Sequence, residues 1–327
     1  MELLVEPYHD GLREQWDLSA RKARQSSFLF ERSFMDYHAD RFHDASLVFY
    51  DAHHNVAALL PACVSREHPR RIESHGGLTF GGLLLPEGTG TSQTLHILES
   101  ALSHYASLGF SEMLYKSVPH IYHTLPSEED LYAIFRLSCT LSARAVSSAI
   151  DLKSPSAYST LRQRKVRKAE KLQCLTSEWG EKYLPSFWEM LDAVLRTRHH
   201  VRPVHTLSEL QLLSSRCAPN IQLAVALAPS SKEDKKEVVA GCLLFVSANV
   251  VHAQYIAASD RGCEICALDW LFDQILCNAP SRFPRQRYFD FGISTERGGT
   301  YLNEGLIFQK EGFGAHAVCY DHYLLKF

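Results

Sequence analysis

The C-terminal segment YFDFGISTERGGTYLNEGLIFQKEGFG, residues 288–314, combines a carboxylate, a glycine-rich turn and a lysine. Asp290 lies between Phe289 and Phe291 in an apolar strand, and the two-residue period of a strand turns its side chain away from both rings. Its carboxylate either accepts hydrogen bonds from the following turn or points into a cleft, as a base or as an anchor for a substrate amine. Lys310 either belongs to the same site or is a solvated lysine at a helix end.

Glycines lie close to apolar residues in two parts of the chain. Gly312 and Gly314 flank Phe313, and SHGGLTFGG, residues 74–82, has four glycines in nine positions. Glycine lets the backbone approach a ligand closely, but it also serves bends, bulges and helix ends. From the residues alone, both interpretations stay open.

A basic run, LRQRKVRKAEK, occupies residues 161–171 and carries six positive residues and one negative residue. At helical spacing Leu161, Ala169 and Leu172 share roughly one face, with Val166 at its margin. Because lysine and arginine neutralise phosphates, the opposite face is either a solvated surface or a surface for a nucleotide-linked substrate or a tRNA backbone. The residues of that face are Arg164, Arg167, Lys168 and Lys171.

The elements that position these residues follow the same order in both halves of the chain. Apolar runs of strand length precede a long helix, and a strand, a second helix and a last strand follow it. In the first half these are strands at 46–51 and 55–64, the apolar stretch GLTFGGLLLP, a helix at 91–109, a strand at 111–118, a helix at 127–139 and a strand near 143–151. In the second half they are strands at 221–228, 237–246 and 250–259, a helix at 264–278, a strand at 287–292, a short helix and a closing strand at 314–327.

This repeated order predicts an α/β protein with mixed sheets, built from two tandem units. A polar, proline-containing stretch without periodicity, DLKSPSAYS at 151–159, lies between the two repeats. The predicted domains are therefore residues 1–152 and 153–327.

Composition limits the class of protein. The chain has 327 residues, of which 46% are hydrophobic and 22% charged, as is typical of a globular protein of two domains. It lacks an apolar run of the roughly 18 residues that a membrane span needs, and its N-terminus lacks the features of a secretion signal. Nine irregularly spaced cysteines are typical of free thiols in a reducing compartment, so we expect a cytoplasmic protein. The net charge of −3 gives no overall attraction to nucleic acid, and we expect no DNA partner.

Five segments, taken together, resemble the FemAB-like branch of the GNAT acyltransferases. They are FLFERSFMDYHADRFHDASLVFYD (28–51), SHGGLTFGG (74–82), YKSVPHIYHTLPSEEDLYAIFRL (115–137), SPSAYSTLRQRKVRKAEK (154–171) and the C-terminal segment with FDFG and FQKEGFG. Their order and spacing extend over about the full length of the chain. The resemblance implies two tandem GNAT-like domains, an N-terminal one on the acceptor side and a C-terminal one on the donor and catalytic side.

The same resemblance implies a function. Fem-like proteins transfer an acyl or aminoacyl group to an amine or hydroxyl, which here would belong to a nucleotide- or lipid-linked sugar or peptide of the cell envelope. The donor would be an aminoacyl-tRNA or an acyl-CoA. In the Fem family a lysine that follows a phenylalanine near the C-terminus is thought to stabilise charge on the transferred acyl group. Phe308 and Lys310 occupy a similar place, with Gln309 between them.

We therefore expect Lys310 and Asp290 to be catalytic, with Phe308 and Phe313 at the substrate and phosphates against Arg164, Arg167 and Lys168. By resemblance to the Fem proteins, the acceptor pocket would contain Tyr37, His38, Arg41, Gly76, Gly77, Lys116 and Tyr122.

Use of acetyl-CoA can be judged from one loop. GNAT enzymes bind its pyrophosphate with an Arg/Gln-x-x-Gly-x-Gly/Ala loop at a helix start. Only Arg261 and Gly262 remain of that pattern, and Asp260 and Glu264 would repel phosphate. We therefore favour aminoacyl-tRNA or another activated acyl donor. The alternatives are an acetyl-CoA-dependent N-acetyltransferase of nucleotide-amino-sugars and a non-catalytic carbohydrate-binding protein.

A metal site is not expected. Cys263 and Cys266 are spaced like metal ligands, but we do not expect a second ligand pair to join them. Both cysteines also lie at the start of an apolar helix, which favours a structural role.

Overall fold

The computed structural model describes residues 3–199, 201–230 and 235–327. Within these ranges, no helix combines the length and the apolar character that crossing a membrane requires. The strands are β1 (Leu4–Pro7), β2 (Leu47–Tyr50), β3 (Val56–Leu60), β4 (Cys63–Val64), β5 (Arg71–Glu73), β6 (Glu112–Lys116), β7 (Thr140–Asp151), β8 (Thr176–Trp179), β9 (Ile221–Pro229), β10 (Lys236–Val246), β11 (Val250–Ala258), β12 (Tyr288–Ile293), β13 (Thr295–Glu296), β14 (Tyr301–Leu302) and β15 (His316–Lys326). The α-helices are α1 (Arg13–Lys22), α2 (Arg32–Met35), α3 (Thr91–Ser107), α4 (Glu129–Arg136), α5 (Thr160–Leu172), α6 (Leu184–Val194), α7 (Leu207–Arg216), α8 (Asp260–Glu264), α9 (Ala267–Arg282) and α10 (Glu304–Glu311).

The chain divides into two compact units. Unit 1 consists of Met1–Val146, Thr295–Leu302 and Val318–Phe327, and unit 2 consists of Ser147–Ser294 and Asn303–Ala317. The first break lies within β7, a few residues before the boundary that the polar stretch indicates, because the last residues of β7 pair with β12 of unit 2. Two later segments return to unit 1, a division that no local composition signals.

Unit 1 contains a sheet of β1, β2 and β3, a β13–β14 ribbon, and a sheet in which the strand order is β4-β5-β6-β15-β7. Strands β5 and β6 are parallel, and α3 connects them, since parallel neighbours need a long crossover. The buried side chains of α3 recur every three or four residues and join the apolar core of this unit; they are Ile97, Leu98, Ala101, Leu102 and Tyr105.

Unit 2 repeats this plan. Residues 147–151 of β7 begin a sheet whose order is β7-β12-β11-β10-β9-β8, and its one parallel pair, β11 and β12, is connected by α9. The ring centroid of Phe272, in α9, lies 5.0 Å from that of Phe291 and 5.5 Å from that of Phe313. Burying one such ring stabilises a fold by about 1.5–3 kcal/mol, so this aromatic cluster fixes α9 and α10 against the sheet.

The last strand of each repeat joins the sheet of the other unit. β7, which ends the first repeat, pairs with β12 in unit 2, and β15, which ends the second repeat, pairs with β6 in unit 1. The predicted order is confirmed from the long helix of each repeat onward, whereas the apolar stretch GLTFGGLLLP of the first repeat forms no strand beyond a single bridge at Leu84. The exchange of the final strands is a finding of the structure.

Two other local expectations are wrong. The helix expected at 264–278 is divided into α8 and α9 by Cys266, whose φ of +57° lies in the left-handed region. On α5 the buried residues are Arg162, Val166 and Ala169, while Leu172 is exposed. Arg162 turns inward because it pairs with Asp269 of α9, so the helix is rotated away from the expected apolar face.

Candidate functional site

Two neighbouring strands of unit 2 separate towards their C-terminal ends. The parallel pairing of β11 with β12 stops at His252–Asp290, although β11 continues to Ala258. Gln254 is an extra residue in β11, because Leu243 and Leu244 of β10 pair with Tyr255 and Ala253. Gly292, with φ of +78°, turns β12 in a conformation that other residues rarely adopt. The bulge and the turn together open the sheet between these strands.

A cavity of about 340 Å³ lies where the strands separate. We call it the splay cavity. It is lined by Ile256 of β11, Phe291 of β12, Phe272 of α9, and Phe313, which follows α10. Its volume is near the lower end of the roughly 300–1,000 Å³ that is usual for small-molecule sites.

Lys310 lines the splay cavity from the last turn of α10. Its side chain is buried, and its Nζ donates hydrogen bonds to the carbonyl oxygens of Gly292, at 2.7 Å, and Ile293, at 2.8 Å. Burial lowers the pKa of Lys310 to about 8, and the nearby Asp290 carboxylate opposes this change. A protonated lysine has three N–H groups, and these two bonds use two of them.

Asp290 is fully buried and does not line the splay cavity. Its Oδ1 accepts hydrogen bonds from the Ser147 hydroxyl and from the backbone N–H of Gly292, and its Oδ2 lies 2.9 Å from Nδ1 of His252. The carboxylate therefore fixes the turn after β12, as one of the two sequence interpretations expects. Its link to the cavity is indirect, through its field on Lys310.

The wall of the splay cavity carries more positive than negative charge. Lys165 and Arg198 line it with Lys310, and Arg198 also pairs with Asp260, which lies outside the wall. The carboxylate on the wall is Asp269. Asp269 is already paired with the buried Arg162, and Lys165 lies 3.8 Å from it. This balance suits an anionic ligand or a group on which negative charge develops.

The other substrate residues expected in unit 2 have different positions. Phe313 is fully buried and lines the splay cavity, whereas Phe308 is 60% exposed and does not. On α5, Arg164, Arg167 and Lys168 are exposed, and the Lys168 ammonium donates to the carbonyl of Glu264.

The expected cofactor residues have other structural partners. Arg261 binds the Glu237 carboxylate at 2.7 Å and the carbonyl of Pro229, and it does not line the splay cavity. Gly262 does line it, but a Cβ there would lie 2.0 Å from the carbonyl oxygen of Val239. The close approach of α8 to β10 therefore explains the glycine without a phosphate ligand.

In unit 1 the structure brings five of the expected acceptor residues together. The ring of His38 lies 4.2 Å from that of Tyr37, and the Arg41 guanidinium lies 5.4 Å from the same tyrosine ring. His38 Nε2 is 3.3 Å from the carbonyl oxygen of Gly77. A Cβ on Gly77 would lie 2.3 Å from His38 Nε2, and one on Gly76 would lie 2.5 Å from Glu73. The absence of a side chain at both glycines thus leaves room for the neighbouring side chains of His38 and Glu73.

Lys116 and Tyr122 are also buried in unit 1. The Lys116 ammonium donates to the carbonyl of Leu78 at 2.6 Å, and burial lowers the pKa of Lys116 to about 8. The Tyr122 hydroxyl lies 3.1 Å from that of Tyr320, and its ring contacts Phe80.

Sequence reasoning missed Lys165, Arg198 and Asp269 as residues of the splay cavity. Lys165 belongs to the basic run, but the expected helix face excluded it. Arg162 lies four residues before Val166, so the two share a helix face. That spacing was a signal for the correct face, but an arginine is expected to point inward only if its partner, Asp269, is known.

Comparison with known proteins finds no match at the level of sequence families. No protein-family model matches the chain, and no curated protein matches it.

Solved structures share its fold. FemX has a TM-score of 0.69 and 10% identity, and the match covers 100% of this chain and 98% of FemX. The C-terminal domain of a putative lysylphosphatidylglycerol synthetase from Agrobacterium fabrum has a TM-score of 0.59 and 12% identity, covering 96% of this chain and 92% of that one. L-PGS from Bacillus licheniformis has a TM-score of 0.59 and 13% identity, and the match covers 97% of this chain and 90% of L-PGS. The chain therefore shares the fold of FemX and of these two synthetase structures, in agreement with the Fem-like fold that its sequence predicts.

Proposed function

We propose that this chain is a transferase that moves an acyl or aminoacyl group onto an amine or hydroxyl of a nucleotide- or lipid-linked sugar or peptide of the cell envelope. The observation that carries the proposal is the buried Lys310 at the wall of the splay cavity, held by two backbone carbonyls. We expect the reaction to take place in the cytoplasm.

The proposed role of Lys310 follows from its geometry and charge. When the acceptor attacks the acyl carbon, negative charge develops on the carbonyl oxygen. An ammonium whose other N–H groups are bound to Gly292 and Ile293 can donate its third one to that oxygen without reorienting. Removing one such preorganised donor typically costs about 10²–10³ in rate. Because the pKa is about 8, the lysine is mostly protonated at neutral pH.

The donor would lie in the splay cavity. The cations Lys165 and Arg198 on its wall support a donor with an anionic group, such as an aminoacyl-tRNA or an acyl-CoA. The exposed Arg164, Arg167 and Lys168 of α5 would then neutralise phosphates of a tRNA backbone, a contact that contributes affinity without sequence specificity.

The acceptor would use the cluster of Tyr37, His38 and Arg41 in unit 1, together with Lys116 and Tyr122. Two structural neighbours support an aminoacyl donor and a lipid- or peptide-linked acceptor for this chain. One is FemX, and the other is named as a synthetase of lysylphosphatidylglycerol, an aminoacylated lipid.

An acetyl-CoA-dependent N-acetyltransferase is the second candidate. Gly262 lines the splay cavity at the start of α8, where GNAT enzymes bind pyrophosphate, and this observation favours it. Against it, Arg261 is bound to Glu237, and Asp260 lies in the same turn. A non-catalytic carbohydrate-binding protein remains the third candidate.

The test is a transfer assay with the purified chain. Radiolabelled aminoacyl-tRNAs and acetyl-CoA are offered with nucleotide-linked sugar-peptides and with phosphatidylglycerol vesicles as acceptors. We expect aminoacyl transfer that Lys310→Ala slows by about 10²–10³ and that Lys22→Ala, which removes an exposed lysine of α1, leaves unchanged. Acetyl transfer would favour the second candidate. Binding of acceptors without transfer from any donor would favour the third candidate and contradict the proposal.

A further inference from the structure

Unit 2 has a second cavity, of about 410 Å³, beside the splay cavity. Phe313 lines both of them. Most of the second wall is apolar and comes from the end of β7 and the C-terminal half of α9, including Ile150, Leu152, Leu276 and Pro280. The volume is that of a small-molecule site, and the wall suits a hydrocarbon group.

One carboxylate, that of Asp273, lies in this apolar wall. Its polar neighbours are neutral: the Cys277 thiol lies 3.7 Å from its Oδ1, and Tyr158 and Gln274 are near it. In the described part of the chain, no lysine, arginine or histidine forms an ion pair with it. Burial accordingly raises the pKa of Asp273, because its charge has lost water and has not gained a cation.

A proline adds an acceptor to the same wall. Pro280 lies inside α9 and has no backbone N–H, so the carbonyl of Leu276 lacks its usual donor one turn later. Leu276 and Pro280 both line the cavity. The charged group on this wall is thus the Asp273 carboxylate, and the ring of Tyr158, which also lines the cavity, is of a type that attracts cations.

We propose that this second cavity binds an organic ammonium ion, with its hydrocarbon part against Leu152, Leu276 and Phe313 and its N–H groups on the Asp273 carboxylate. An ammonium supplies the positive charge that Asp273 lacks, and it satisfies acceptors that a neutral or anionic ligand would leave unpaired. The proposal does not depend on the transferase activity.

The test compares three probes of equal chain length: n-hexylammonium, 1-hexanol and hexanoate. Dissociation constants are measured at neutral pH by ligand-observed NMR titration of the full chain. We expect n-hexylammonium to bind most tightly. Because a hydrogen bond to a charged group contributes about 1.5–3 kcal/mol, Asp273→Asn should weaken n-hexylammonium at least tenfold and leave 1-hexanol within about twofold.

Three further variants locate the site. Asp192→Asn, which removes a half-buried carboxylate of α6 that pairs with Arg196, should leave every dissociation constant unchanged. Leu276→Phe, which fills the cavity without touching Asp273, should weaken all three probes. Lys165→Ala, which alters only the splay cavity, should not weaken n-hexylammonium. Circular dichroism confirms folding of each variant.

Two results would overturn the proposal. One is a dissociation constant for n-hexylammonium that neither Asp273→Asn nor Leu276→Phe changes. The other is hexanoate binding as tightly as n-hexylammonium, which would show that the carboxylate does not select the ligand.

Discussion

Each unit contains a buried lysine, and the two side chains share most of their electrostatics. Lys116 of unit 1 and Lys310 of unit 2 both have a pKa lowered to about 8 by burial, and both donate to backbone carbonyls. They differ in relation to the splay cavity. Lys310 lines the splay cavity, whereas Lys116 lines neither of the two cavities described above.

The comparison teaches that a displaced pKa alone does not mark a catalytic group. Burying an ammonium lowers its pKa wherever this happens. What sets Lys310 apart is an open space beside a preorganised donor, which arises because β11 and β12 stop pairing at His252–Asp290. Lys116 lies at the end of β6 against the turn that contains Leu78, so its charge is held within the protein.

The largest expected effect comes from removing the amine at the splay cavity. Lys310→Ala should lower kcat for transfer by about 10²–10³, because the donor to the developing oxyanion is lost, and should change KM for the acceptor little. Steady-state kinetics with the donor found active in the transfer assay measure both constants. A fall in kcat of less than about fivefold would remove the distinction between the two lysines.

Asp290→Asn should have the next largest effect, and it acts on Lys310 from a distance. Losing the carboxylate removes the field that opposes the lowering of the Lys310 pKa, so the pH at which transfer declines should move below about 8. Stability should also fall, by roughly 1–3 kcal/mol, because Ser147 and His252 lose a charged acceptor. A pH–rate profile and urea unfolding test these effects. An unchanged profile would show that Asp290 only holds its turn.

Replacing Lys116 should change how the free energy of unfolding depends on pH. Its pKa is about 8 in the folded chain and 10.5 in the reference state, so between these pH values the unfolded chain binds more protons and stability rises with pH. This rise amounts to at most about 3 kcal/mol per lysine, and Lys116→Met should remove it. Urea unfolding at pH 7.5 and 9.5 measures the difference. Equal rises in wild type and variant would contradict the buried, charged state of Lys116.

The smallest expected effect concerns the exposed basic face of α5. Replacing Arg164 and Arg167 with Gln should raise KM for a tRNA donor a few-fold at low salt and leave kcat unchanged, because such residues neutralise phosphates without touching the reacting atoms. The dependence of KM on salt should become less steep. If the substitutions raised KM as much at high salt as at low salt, these arginines would have a role other than neutralising phosphates.

The sequence could predict what local patterns determine. The repeated strands and helices follow from apolar periodicity, and the two interpretations of Asp290 include the one that its contact with the Gly292 N–H supports. The placement of Lys310 beside a cavity could not be derived, since it requires the separation of β11 and β12.

Features set by distant partners were out of reach. Arg162 is buried because of Asp269, which lies 107 residues away, and this single pair rotates α5 so that Lys165 lines the splay cavity. The exchange of β7 and β15 between the sheets likewise depends on strand pairing, which periodicity does not encode.

The most direct measurement is the pH dependence of single-turnover transfer in wild type and in Lys310→Ala. We predict that the wild-type rate declines as pH rises through about 8, where the ammonium loses its proton, and that the residual rate of the variant shows no such decline. A decline near the same pH in both proteins would assign the titration to another group and contradict the role of Lys310.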